Sequence, residues 1–123
     1  MRAVLITTLA VAAVCGLSAC GFGENGISVS ENDPDRRGAE LFASNCAGCH
    51  TLTPAGAEGT GNRGTRTQGP NLDQRLETYE STLFAIQNGG YSGAIMPQNI
   101  VVGDEAEEVA RFVAKYAGQD AGD

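Results

Sequence analysis

The chain has 123 residues, 41% of them hydrophobic, no tryptophan and a formal charge of −7. That length holds one small domain, whose core is marginal unless a disulfide, a metal or a cofactor staples it. The acidic balance speaks against nucleic acid or an anionic membrane surface as electrostatic partner, because both select basic patches.

Arg2 opens the chain as a short positive region, and an apolar run from Ala3 to Val14, broken only by Thr7 and Thr8, leads into small residues. This is the layout of a secretory signal, and it is too short for a bilayer-spanning helix, which needs ~20 apolar residues. The segment ends in Leu17-Ser18-Ala19-Cys20, which resembles the bacterial lipobox. Residues 1–19 are therefore expected as a lipoprotein-type signal, with Cys20 as the acylated first residue of the mature chain. Cys15 leaves with the signal, so Cys46 and Cys49 remain as thiols. Without Arg2, seven basic side chains face fifteen acidic ones, a formal −8. Residues 20–32 are short on apolar side chains and read as the acylated N-terminus and a flexible tether.

The domain is expected over residues 33–118, with 119–123 as a tail. Asp33 can cap a helix and Pro34 can take its first position. Ala39, Phe42, Ala43 and Cys46 then fall on one face, which predicts a helix over about Pro34 to Cys46. "PAGAEGTGNRGTRTQG", Pro54 to Gly69, has five glycines and no large apolar side chain, so it is expected as loop. A second amphipathic stretch puts Leu76, Tyr79, Leu83 and Ile86 on one face and stops at Gly89-Gly90. A third starts at Asp104 with Glu105, Glu107 and Glu108 in its first turn. It carries Val109, Phe112, Val113 and Tyr116 on one face, Lys115 near its end, and meets Gly118. No strand-like alternation and no repeat is found, so the fold class is all-α, three main helices with long loops.

At the end of the first helix, "NCAGCHTL" brings Cys46, Cys49 and His50, the one histidine, within five positions. Zinc needs three or four protein ligands, and no second Cys-x-x-Cys exists. A thioredoxin-like dithiol sits at the start of a helix after a strand, whereas this motif follows a helix. A disulfide between Cys46 and Cys49 closes too small a loop to stabilise much. Cys-x-x-Cys-His uses all three residues at once as a c-type haem attachment, each sulfur bonding one vinyl group and the histidine facing the iron. The opposite axial position needs a ligand from a distant segment. Met96, in Ile95-Met96-Pro97, is the one methionine besides the initiator, so a His/Met pair can be made in one way. The competing role for Met96 is a gap-filling core side chain.

"GAELFASNCAGCHTL", "GPNLDQRL", "IMP" and "EEVARFVAKYAG", in this order, resemble a class I bacterial cytochrome c of the small monohaem type, over about Asp33 to Gly118. The resemblance implies the class I cytochrome c fold, one haem c bound through Cys46 and Cys49, and His50 and Met96 as iron ligands. It implies that the Pro70 carbonyl accepts a hydrogen bond from the ligand imidazole, and that Gly38 and Phe42 pack against Val109 and Phe112 where the first helix crosses the last. The glycine-rich loop departs from the mitochondrial pattern. So does the absence of a docking ring of lysines, since Lys115 is the one lysine.

With both axial positions filled, the expectation is an electron carrier and not an enzyme. It would be exported, lipid-anchored through Cys20 on the periplasmic or extracytoplasmic side, and monomeric. The expected partners are a membrane quinol-oxidising complex or dehydrogenase and a terminal oxidase or reductase, with no nucleic acid. Two alternatives stay open: a haem enzyme or gas sensor if Met96 is not a ligand, and a thiol-disulfide oxidoreductase using Cys46 and Cys49. Arg75, chosen over Arg63 and Arg66, is the expected partner of a haem propionate. The acidic cluster Asp104, Glu105, Glu107 and Glu108 is the expected docking face for a partner with a basic rim.

Overall fold

The computed structural model describes residues 26–59, 69–90 and 96–119. The signal, Cys20, Arg63, Arg66, most of the glycine-rich loop and residues 120–123 lie outside the described residues. Three helices, α1 (Arg36–Asn45), α2 (Tyr79–Asn88) and α3 (Asp104–Tyr116), carry the domain.

Helix α1 starts two residues later than expected. Arg36 N–H donates to the Asp33 carbonyl (2.9 Å) and Asp35 N–H to Asp33 Oδ1 (2.8 Å), so Asp33 to Arg36 form a turn with Pro34 inside it. The Asp33 carboxylate is drawn elsewhere. It accepts from Tyr116 Oη (2.7 Å) and Lys115 Nζ (3.0 Å), which clamps the start of the domain to the end of α3. These donors, Tyr116 first, hold its carboxyl down at about 2.

Helix α3 is the most amphipathic element, with Ala106, Val109, Ala110, Phe112 and Val113 buried. Gly103 offers no capping side chain, and Asp104, Glu105 and Glu107 place negative charge against the unpaired N–H groups of the first turn. The crossing of α1 and α3 depends on Gly38. A Cβ there would sit 2.6 Å from the Phe112 Cβ and closer still to the Glu108 carbonyl oxygen. With the backbones this near, Phe42 and Phe112 meet edge to face at 5.8 Å, an arrangement worth about 0.5–1.5 kcal/mol beyond the area buried.

Helix α2 begins at Tyr79, so Leu76 is not part of its apolar face and is 75% exposed. What starts the helix is a reciprocal cap. Thr78 Oγ1 accepts from Ser81 N–H and Ser81 Oγ from Thr78 N–H, which supports the end by roughly 1 kcal/mol. It stops as expected at Gly89, in the left-handed region at φ 81°.

Two expectations are corrected. A small antiparallel ribbon, β1 (Thr51–Leu52) and β2 (Ala57–Glu58), stands where only loop was expected, with a 3-10 turn at Thr53–Ala55 between its strands. Two-residue strands are too short to show alternation. The tether is not free over its whole length either: Val29 is 6% exposed within the core, Ser28 N–H donates to the Pro54 carbonyl, and Arg36 holds the Val29 carbonyl at 2.6 Å. Residues 26–30 thus form a strap across the 53–55 turn, because one buried valine and three hydrogen-bonded backbone positions outweigh the low apolar content of the stretch. The class remains all-α, and no helix among the described residues is long and apolar enough to cross a membrane.

Candidate functional site

The Cys46–His50 stretch is a turn that continues α1 after its last helical residue. Cys46 N–H still donates to the Phe42 carbonyl (2.8 Å), and Cys49 and His50 N–H both donate to the Cys46 carbonyl, at 3.1 and 2.9 Å. This coil keeps two free, half-buried thiols and the imidazole on one short segment. Burial, with Cys49 alongside as the second cause, pushes the Cys46 thiol up to about 12. That is the opposite of the depressed thiol a disulfide oxidoreductase needs.

His50 is oriented by its neighbours. Its Nδ1 lies 3.0 Å from the Pro70 carbonyl oxygen, which fixes the proton on Nδ1 and leaves Nε2 without a hydrogen bond among the described residues. The ring also lies on Gly69. A Cβ there would strike Cε1 and stand only 2.5 Å from Nδ1 and 2.7 Å from Nε2, so a glycine is required before Pro70 for the imidazole to occupy this place. Phe42 flanks it at 6.4 Å between ring centroids. Segment 69–73 runs beside 49–53. Gly69 N–H donates to the Cys49 carbonyl (2.7 Å) and Leu72 N–H to the Thr51 carbonyl (2.9 Å).

Met96 is half-buried and packed against the core cluster. Its segment is tied to the end of α2 by Asn99 N–H, which donates to the Ile86 carbonyl (2.7 Å), and by Gln98 Nε2 to the Asn88 carbonyl (3.3 Å). Thr82 Oγ1, on the face of α2 that also carries Leu83 and Ile86, is buried with no hydrogen-bond partner. An imidazole held through Nδ1 and two thiols one turn apart are a donor set that fits a covalently attached haem. No group of three or more His, Cys, Asp or Glu side chains that could hold a bare metal ion occurs among the described residues.

The family model described as cytochrome c oxidase, cbb3-type, subunit III matches residues 33–113. The chain belongs to this family of c-type cytochromes. A solved structure, the c-type cytochrome SorU from Sinorhizobium meliloti, is similar at 36% identity and a TM-score of 0.55, covering 68% of this chain and 91% of that one. No curated protein sequence matches the chain. This cytochrome domain therefore has the class I fold and binds haem c covalently, with Cys46 and Cys49 in the attachment spacing.

The remaining candidates are distributed as follows. Arg75 Nε is engaged by Glu77 Oε1 at 2.6 Å, so the arginine expected to meet a propionate already has a carboxylate partner. Glu105 pairs with Arg37 (3.4 Å) and Glu107 with Arg111 (3.6 Å), which offsets part of the acidic cluster, while Asp104 and Glu108 have no ion pair among the described residues. Sequence reasoning missed Gly69. Gly69 was visible as the first letter of "GPNL", but nothing in the sequence marks that its missing side chain makes room for a ring.

Proposed function

We propose that the protein is a one-electron carrier in which His50 and Met96 are the axial ligands of the single haem. The observation that carries this reading is the 3.0 Å bond between His50 Nδ1 and the Pro70 carbonyl, which leaves Nε2 without a hydrogen-bond partner among the described residues. The pinning of the Met96 segment to the end of α2 supports the second ligand. When bound, haem c supplies a reversible ferric/ferrous couple. The chain's own residues would keep that couple to electron transfer: His50 and Met96 as ligands would leave no open position for a substrate, and the Cys46 N–H bond to the Phe42 carbonyl ties the attachment segment to α1, which packs on α3 at Gly38. A thioether donor and apolar packing favour the ferrous state and raise the potential.

Support for export and a lipid anchor at Cys20 comes from the apolar segment ending in Leu17-Ser18-Ala19-Cys20. In this reading the carrier works at the extracytoplasmic face of a membrane as a monomer. It passes electrons from a quinol-oxidising complex or a dehydrogenase to a terminal oxidase or reductase with a basic docking rim. Haem-loaded protein titrated with a reductant should show one reversible one-electron wave, low-spin spectra in both states and no binding of CO. Tight CO binding to the ferrous wild type would instead favour the gas-sensor or haem-enzyme reading.

A further inference from the structure

One charged side chain in the described structure is buried and makes no hydrogen bond to the Cys46–His50 segment. Asp73, in "GPNLDQRL", is 6% exposed. Its Oδ1 accepts from Thr53 N–H at 2.8 Å and its Oδ2 from Thr53 Oγ1 at 2.7 Å, and it has no ion-pair partner among the described residues. Burying a carboxylate without a cation costs several kcal/mol, which two hydrogen bonds only partly offset, and an apolar side chain would fill the same space without that cost. The carboxylate must therefore do something that packing does not.

Its position shows what. The Thr53–Asp73 bonds and the His50–Pro70 bond each join residues 20 apart, so both belong to one register of segment 69–73 against segment 49–53. Backbone rungs lie between and before them, at Gly69 to Cys49 and Leu72 to Thr51. Asp73 N–H donates to Asn71 Oδ1 (2.9 Å), which curls the end of the segment so that the carboxylate turns back toward Thr53. A slip by one residue would take the Pro70 carbonyl off the imidazole, and the two-pronged grip on Thr53 opposes it together with those rungs.

We propose that Asp73 is a positioning residue for the haem ligand: through Thr53 it locks the register that holds the Pro70 carbonyl on His50 Nδ1, and so sets the electron-donating strength of the imidazole. The inference rests on His50 being the iron ligand. A firm Nδ1–H···O=C bond makes Nε2 more electron-rich and favours ferric iron. Loosening it should raise the reduction potential and expose the Nδ1 proton to solvent.

The test uses haem-loaded wild type, Asp73→Ala, Thr53→Val and Thr53→Ser, and follows exchange of the His50 Nδ1 proton by NMR together with the reduction potential. Asp73→Ala should speed exchange by roughly tenfold, about the worth of one net hydrogen bond, and raise the potential. Thr53→Val, which removes one prong and keeps the fold if Asp73→Ala does not, should shift both readouts the same way by less. Thr53→Ser should restore wild-type values. If both destabilising variants melt earlier yet keep wild-type exchange and potential, Asp73 is only structural and the proposal fails. If the His50 ring of the wild type lacks the hyperfine shifts of an iron ligand, the ligand assignment fails first, and the proposal with it.

Discussion

The two sides of the site are built differently. On the His50 side, the imidazole is held by the Pro70 carbonyl and seated on Gly69, and the two flanking segments are joined by backbone bonds and by the grip of Asp73 on Thr53. On the Met96 side, the described contacts are packing against the core cluster, one backbone bond from Asn99 and one long, exposed bond from Gln98. Among the described residues, the polar contacts that organise the proposed His50 ligand thus outnumber those that hold the proposed Met96 ligand. In the proposed ligation, this division would keep the His50 side constant while the weaker thioether donor of Met96 tunes the potential.

The largest effect is expected when the attachment itself is removed. Cys46→Ser together with Cys49→Ser should abolish covalent haem, read as loss of haem stain after denaturing electrophoresis, because neither side can then be assembled. Met96→Ala comes next and strikes only the weaker side. Haem should stay attached, the ferric methionine-to-iron band should vanish, cyanide or CO should bind, and the potential should fall by on the order of a hundred millivolts, within the ~0.8 V that axial ligands span. Gly69→Ala sharpens the picture of the stronger side. Its Cβ would strike the His50 ring, so a loss of about 1–3 kcal/mol is expected from thermal unfolding of the haem-loaded protein, with the Met96 band retained.

The smallest effect belongs to a clamp far from both ligands. Tyr116, the Asp35 N–H and Lys115 hold the Asp33 carboxyl down at about 2. A carboxyl lowered in the folded state stabilises above its unfolded value near ~3.9 and loses that contribution as pH falls through about 2. Asp33→Asn should therefore melt slightly earlier than wild type at neutral pH. The difference should close between pH ~4 and about 2, with the potential unchanged throughout.

The helices and the attachment motif were legible because they rest on local patterns. The spacing of Ala39, Phe42 and Ala43, the acidic first turn of α3 and Cys-x-x-Cys-His all act within a few residues. The resemblance reached one step further, to the Pro70 carbonyl on His50. Hidden features were those whose partner lies far along the chain. Asp33 looks like a cap until Lys115 and Tyr116 arrive from more than 80 residues away. Val29 looks like a stray apolar residue in a glycine-rich tether until the 53–55 turn lies under it. Leu76 continues the apolar spacing of α2, yet the reciprocal cap of Thr78 and Ser81 starts the helix after it.

A denaturant titration of the ferric protein tests the account most directly, with the methionine-to-iron band reporting the Met96 side and the His50 Nδ1 proton, together with helical circular dichroism, reporting the other. The methionine band should disappear first, at denaturant concentrations where the His50 proton is still protected and the helices are intact. Coincident loss of all three signals, or loss of the His50 signal before the band, would contradict it.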